Sequence, residues 1–271
     1  MALKVRDIKE VIEKFAPVSL KESYDNVGLM VGELDKEITS ILVALDCTME
    51  VIKEAVEKNC NLIITHHPLL FKKPSSITGE TLAGRKIMEL IKNDISLYSA
   101  HTNLDAVDGG INDTVMNLLG LNEYVTMELS SGRCSEDNKS GIGRLASLDE
   151  SITLKDLCIR VKRSFKIPYV RYAGEDSMKI KKVAVINGSG QDYFSLAKKM
   201  GADCIITGDT SYHYVSDFSE EGIGIIDAGH FGTEWPALKI LAFMLEIKLQ
   251  RDGHKTKVLV SEKVKDPYKI Y

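Results

Sequence analysis

From Ile41 to Thr65 the chain reads ILVALDCTMEVIKEAVEKNCNLIIT, and this stretch decides the fold. Ile41 to Leu45 is an apolar run of strand length, Thr48 stands where an N-cap belongs, and Met49 to Lys58 carries a helical apolar period. Leu62 to Thr65 is then a second buried strand. Further along, Leu82 to Lys92 repeats the helical period behind Thr81, and Ile95 to Ala100 forms a third strand. Strands alternating with helices in this way predict a parallel or mostly parallel sheet with helical crossovers. Upstream, Val5, Ile8, Val11, Ile12 and Phe15 mark an amphipathic helix closed by Pro17, and Ser23 to Gly32 reads as a loop leading into a short strand.

The C-terminal half follows the same plan. Val183 to Ile186 reads as a strand, Tyr193 to Met200 as a helix and Cys204 to Thr207 as a strand. Ile41 and Val183 are 142 positions apart, as are Ile63 and Ile205. Ile95 to Ala100 and Ile223 to Ala228 are offset by 128, so the second half is 14 residues shorter around its middle helix. The expected fold class is α/β: two related units with mostly parallel sheets and helical crossovers, and a metal site in the crevice between them. The expected organisation is an N-terminal unit over 1–121, a connecting segment over 122–180 and a C-terminal unit over 181–271, forming one compact protein. The connecting segment holds a polar stretch from Ser130 to Ser140, a helical run from Leu154 to Phe165 and a strand-like Tyr169 to Tyr172. The final helix, Ala237 to Gln250, is apolar on most faces and is expected to be buried or covered by a neighbouring subunit.

Composition narrows the function. The chain has 271 residues, 44% of them apolar and 27% charged, with a formal net charge of -4 and no long block of either sign. That balance argues against duplex DNA as a ligand, because phosphate binding draws on a basic surface. Arg6, Asp7, Lys9 and Glu10 interrupt the start where a signal peptide needs an apolar run, and no stretch is long and apolar enough to span a bilayer. A cytoplasmic location follows as the expectation. Cys47, Cys60, Cys134, Cys158 and Cys204 form an odd set without a C-x-x-C pair, which fits reduced packing thiols.

The chemistry gathers at strand ends. His66-His67-Pro68 lies just beyond the second strand, where consecutive side chains diverge and can serve two different ions. Two adjacent histidines by themselves are most often packing or surface decoration, so the pair needs company. Ser99-Ala100-His101-Thr102-Asn103-Leu104-Asp105 ends the third strand with another imidazole and a carboxylate, although an Asn-x-Asp turn also forms for purely local reasons. Gly229-His230-Phe231-Gly232-Thr233-Glu234 is the third cluster. A helix beginning near His230 puts His230 and Glu234 on one face, whereas Pro236 favours a start near Thr233 with His230 in the entering loop. Imidazole with carboxylate and no thiolate suits zinc, iron(II) or manganese. The count exceeds one tetrahedral ion and suits two ions about 3.5 to 4 Å apart.

Gly188-Ser189-Gly190, after a strand and before a helix, is either a tight βα turn or a set of backbone N–H groups for a phosphate. Asp46 and Asp209 each follow a strand, where a helix N-cap is an equally good account.

In order and combination these motifs resemble the Nif-three-like (NGG-interacting-factor-three-like) dinuclear metal family, the GTP cyclohydrolase 1 type 2 homologues. Asp25-Asn26-Val27-Gly28-Leu29, Asn187-Gly188-Ser189-Gly190 and Gly208-Asp209-Thr210-Ser211-Tyr212-His213 match as well, so the similarity spans nearly the whole chain. Two positions depart from the family pattern: Tyr24 replaces a tryptophan, and Asn187 opens what is usually Gly-Gly-Ser-Gly. The resemblance implies two divalent metal ions held by His66, His67, Asp105, His230 and Glu234, with Glu234 bridging. It gives His101 and His213 as the candidates for proton transfer or substrate contact. It also implies the compact family form, a ring-shaped homohexamer, and a metal-dependent hydrolase that opens a purine nucleotide or a similar small molecule. The alternative is a ring-forming metal-binding, metal-delivery or protein-interaction protein without turnover. A purely structural metal is the third reading.

Overall fold

The computed structural model describes residues 2–130 and 139–270. Most of the polar stretch between Ser130 and Ser140, with Cys134, lies outside the described residues. The chain divides into two units, one running to Leu104 and including Leu238–Pro267, the other spanning Asp105–Ala237 with the residues from Tyr268 onward.

The first unit holds a five-stranded sheet, built from β1 (Gly28–Val31), β2 (Ser40–Ala44), β3 (Leu62–Thr65), β4 (Ser96–Ser99) and β11 (Lys257–Val260) in the order β1-β4-β3-β2-β11. The pairings of β4 with β3, β3 with β2 and β2 with β11 are parallel, and β1 closes one edge antiparallel. Helices α1 (Val5–Phe15), α2 (Met49–Glu57) and α3 (Leu82–Lys92) belong to this unit. Thr48 and Thr81 start α2 and α3 as expected, each hydroxyl accepting from the backbone N–H three residues on. Ile52 and Ala55 of α2 and Ile87 and Leu90 of α3 pack on Leu42, Ile63 and Leu97 of the sheet, which are fully buried.

The second unit holds a six-stranded sheet in the order β5-β6-β8-β9-β10-β7, from β5 (Tyr124–Leu129), β6 (Gly141–Thr153), β7 (Arg171–Ala173), β8 (Lys179–Ser189), β9 (Cys204–Gly208) and β10 (Gly224–Asp227). Only β8, β9 and β10 run parallel; β5, β6 and β7 pair antiparallel around them. Residues 122–180 thus supply three strands of this sheet and α6 (Leu154–Phe165). Its other helices are α5 (Ile111–Leu118), α7 (Phe194–Lys199) and α8 (Tyr212–Glu220), while α4 (Thr102–Ala106) and α9 (His230–Arg251) contain the points at which the chain passes between units.

The internal repeat is visible in the strand register. Ile41 pairs with Leu62 across β2 and β3, and Val183 with Cys204 across β8 and β9. Leu62 pairs with Ser96, and Cys204 with Gly224, each partner displaced by the offset found in the sequence. An antiparallel strand flanks each third strand, β1 beside β4 and β7 beside β10.

Helix α9 starts at His230, not near Thr233, and carries Pro236 within it. Pro236 donates no backbone hydrogen bond, but it falls in the second turn, and the first turn is held independently. Thr233 donates its N–H to the Gly229 carbonyl at 3.1 Å, and its hydroxyl reaches the Gly229 and His230 carbonyls at 3.1 and 2.9 Å. Trp235, Ala237, Leu238, Leu241 and Leu249 of α9 are buried, whereas Phe243 and Met244 are exposed. Among the described residues, no helix is long and apolar enough to cross a membrane.

Candidate metal centre

In the first unit three imidazoles converge. The β-ladder continues past Thr65, with His66 N–H donating to Ala44 O at 3.3 Å and His67 N–H to Leu45 O at 3.0 Å, so both histidines are placed by sheet geometry. His101 follows β4 directly, and its N–H donates to the Asn103 side-chain oxygen at 3.1 Å. The ring centroids of His66, His67 and His101 are 5.1 to 5.5 Å apart, and one nitrogen from each lies within 4.8 Å of the others.

Each ring is oriented by an oxygen on its Nδ1. His66 is fully buried, and its Nδ1 sits 2.9 Å from the Ala100 carbonyl. A carbonyl only accepts, so Nδ1 carries the proton and, in the neutral ring, Nε2 the lone pair. His67 Nδ1 meets Asp46 Oδ1 at 2.8 Å, and His101 Nδ1 meets Asp25 Oδ1 at 2.9 Å. Asp25 Oδ2 also accepts from Thr102, from N–H at 3.1 Å and from the hydroxyl at 2.5 Å. Burial alone pushes the Asp25 carboxyl up, but the hydrogen bonds from His101 and Thr102 together outweigh it and hold the group well below the usual carboxylate range.

The second unit carries the remaining candidates. His230 opens α9 and Glu234 follows one turn later, with His230 Nε2 3.1 Å from Glu234 Oε1. His230 Nδ1 lies 2.7 Å from Asp209 Oδ2, and Asp209 reaches it from a left-handed backbone conformation with φ of 49°. Asp105 lies on α4 and accepts from the Asn187 amide at 2.9 Å. The next residue, Gly188, abuts Glu234: a Cβ there would stand 2.5 Å from Glu234 Oε1 and 3.4 Å from His230 Nε2. Adjacent residues of β8 therefore serve Asp105 and Glu234.

The donor set fits divalent ions. Metal-binding histidines characteristically give their second nitrogen to a carboxylate or carbonyl, which fixes the tautomer and aims the other nitrogen. Four imidazoles here have that arrangement, and the missing Cβ at Gly188 leaves the carboxylate and imidazole of α9 room to share an ion.

Of the sequence candidates, His66 and His67 come together with His101 in the first unit. His230, Glu234 and Asp105 are tied through Asn187-Gly188 in the second. His213 lies in neither group; it is exposed on α8, its ring edge-on to Tyr212 with centroids 5.4 Å apart. Asp46 and Asp209 are not N-caps, since Thr48 and Ser211 occupy those positions. Nor do Gly188 and Gly190 present N–H groups to a phosphate: they donate to Thr233 Oγ1 and Thr207 Oγ1 at 3.0 and 3.1 Å. The partner carboxylates Asp25, Asp46 and Asp209 are what the sequence reading missed as imidazole anchors. Their only signal was an acidic residue close to a strand end or inside a family motif. Cys47, Cys60, Cys158 and Cys204 are buried, and burial pushes the Cys47 thiol up to about 12 and those of Cys60 and Cys158 up to about 11, which leaves them inert.

Fold and site define an internally repeated α/β protein whose strand ends carry histidine and carboxylate groups able to hold metal. The chain belongs to the Duf34/NIF3 (NGG1p interacting factor 3) family, whose model matches residues 3–267. It is 57% identical over 270 residues to a Clostridium acetobutylicum protein named GTP cyclohydrolase 1 type 2 homolog, with 100% of both chains covered. The crystal structure of the Staphylococcus aureus hypothetical protein SA1388 is similar at a TM-score of 0.91 and 32% identity, and that of a Bacillus cereus protein related to NIF3 at 0.92 and 25%, each covering 100% of both chains.

Proposed function

We propose that the protein is a metal-dependent hydrolase of a nucleotide-like small molecule, with two divalent ions held by His66, His67, Asp105, His230 and Glu234 and Glu234 as the shared ligand. The observation that carries this reading is the oxygen placed on Nδ1 of every histidine in the set, from Ala100, Asp46 and Asp209, since packing alone does not require it. Zinc, iron or manganese ions bound there would supply Lewis acidity and make a water acidic near neutral pH.

The chain's own residues do the rest. Asp25 keeps the His101 proton on Nδ1, so Nε2 is the atom that accepts a proton from the attacking water. The resulting imidazolium, stabilised by Asp25, returns that proton to a departing ring nitrogen. His213, exposed on α8 and in neither ligand group, is the residue this reading leaves for substrate contact. The same reading has the protein working in the cytoplasm as a homohexamer of 30.1 kDa subunits, which light scattering after size exclusion measures directly.

The test is formate release from GTP by metal-loaded protein, beside a His67→Ala control. Turnover that disappears in the control supports the reading. Absence of turnover with all three metals removes it, and tight exchangeable metal without turnover would favour a metal-delivery role.

A further inference from the structure

We infer that Phe71 and Tyr24 form a stacking platform for a planar heteroaromatic ring beside His101, with Lys72 and Lys73 receiving an anionic tail on that ring. The inference rests on the reading of the imidazole group as a reaction centre and names the kind of substrate brought to it. Phe71 lies with its ring centroid 6.4 Å from that of His101, edge to face, and Tyr24 lies 6.2 Å beyond Phe71. Phe71 thus meets both rings and links Tyr24 to His101 in a row of contacts. Scattered surface aromatics need no explanation, but these two touch each other, Phe71 meets the His101 ring, and they remain 44% and 64% exposed.

The loops that carry them are fastened rather than loose. Asp25 binds His101, and Asn26 donates its side-chain N–H to the Leu70 carbonyl at 2.5 Å, so the residues after Tyr24 are tied both to the imidazole group and to the residue before Phe71. Spacing decides between a clamp and a platform. A ring inserted between two others needs about 7 Å between their planes, twice the contact distance of carbon atoms. Tyr24 and Phe71 are too close and too tilted, at 55°, to admit one. A ligand ring therefore stacks on the exposed face of one ring, Phe71, with Tyr24 against its edge and its reacting end toward His101.

Charge supplies the second half of the argument. Lys72 and Lys73 follow Phe71 directly, are exposed, and make no ion pair with a described residue. A ring on the aromatic row with phosphate or carboxylate at its far end meets both features, as a purine nucleotide does.

The experiment measures binding by calorimetry with three probes: GMP, guanosine, which lacks the anion, and ribose 5-phosphate, which lacks the ring. Wild type is compared with Phe71→Ala, Phe71→Tyr, Tyr24→Ala and Lys72→Gln/Lys73→Gln. Phe71→Ala should weaken GMP and guanosine alike by roughly 5- to 100-fold, the range for losing one base-stacking contact, and leave ribose 5-phosphate unchanged. Phe71→Tyr should restore binding, and the lysine pair should affect GMP but not guanosine. Stacking needs no metal, so guanosine binding should persist in metal-free protein; if it does while formate release fails, the hydrolase reading falls and this one stands. Equal GMP binding by wild type and Phe71→Ala overturns the inference, as does absence of guanosine binding at millimolar concentration. A change of oligomeric state in Phe71→Ala with unchanged binding would assign the row to a subunit contact instead.

Discussion

Gly188→Ala separates what the fold asks of this position from what the candidate centre asks. Gly188 has φ of 62°, a left-handed conformation in which an alanine is strained by roughly 1–2 kcal/mol. The added Cβ would also stand 2.5 Å from Glu234 Oε1, inside any contact distance. That atom ends a flexible side chain, so the folded protein escapes the clash by swinging the carboxylate away, which gives up its 3.1 Å contact with His230 Nε2. Swinging it away is what metal binding does not tolerate. Gly253→Ala is the matched control: its φ is 86° and nothing lies within 4 Å of the new Cβ, so it carries the conformational cost alone. In metal-free protein, denaturant melts should show Gly188→Ala destabilised by at least as much as Gly253→Ala, the excess being the lost His230–Glu234 contact. In zinc titrations Gly188→Ala should lose affinity by roughly 10- to 100-fold, the scale for disturbing a ligand's support, and Gly253→Ala should match wild type. Wild-type zinc affinity in Gly188→Ala would refute the assignment of Glu234 to the metal set.

Other substitutions bear on the same structure. Asp46→Ala and Asp209→Ala remove the anchors of His67 and His230, and each should weaken metal binding by roughly 10- to 100-fold by elemental analysis after dialysis, with little change in melting temperature of the metal-free form. Because the Asp25 carboxyl is held below its ordinary value, its ionised form stabilises the fold above about pH 4, and that contribution is lost as pH falls toward the lowered value. The melting-temperature gap between wild type and Asp25→Asn, measured without metal, should therefore be widest at neutral pH and close in acid. Arg144 is buried against Asp113 and donates to the Gly141 and Gly143 carbonyls, so Arg144→Met strands a carboxylate and should cost about 3–5 kcal/mol in urea unfolding. Adding Asp113→Asn should recover part of it.

Several elements were legible because their cause is local. Apolar periodicity, with a threonine at the N-cap for α2 and α3, places α2, α3 and α6 within a residue of their observed bounds. The repeat was legible too, because equal spacing of apolar runs survives where residue identities do not. Pro236 misled about the start of α9, since the hydroxyl of Thr233 and the carbonyls it caps act on the first turn and outweigh one missing donor further along. The strands of residues 122–180 could be read but not their membership of the second sheet, because pairing β6 with β8 is a matter of long-range register.

By itself the sequence determined which residues stand at the carboxyl ends of the strands: His66, His67, His101, His230 and Glu234, each following an apolar run whose period is written in neighbouring residues. Tertiary structure alone decided which oxygen meets which ring. Asp25 and His101 are 76 positions apart, and Asp105 and Asn187 are 82. A hydrogen bond constrains distance and angle between two atoms, and no local pattern carries that information across so many residues; it comes into being only when packed strands and helices fix where each side chain ends.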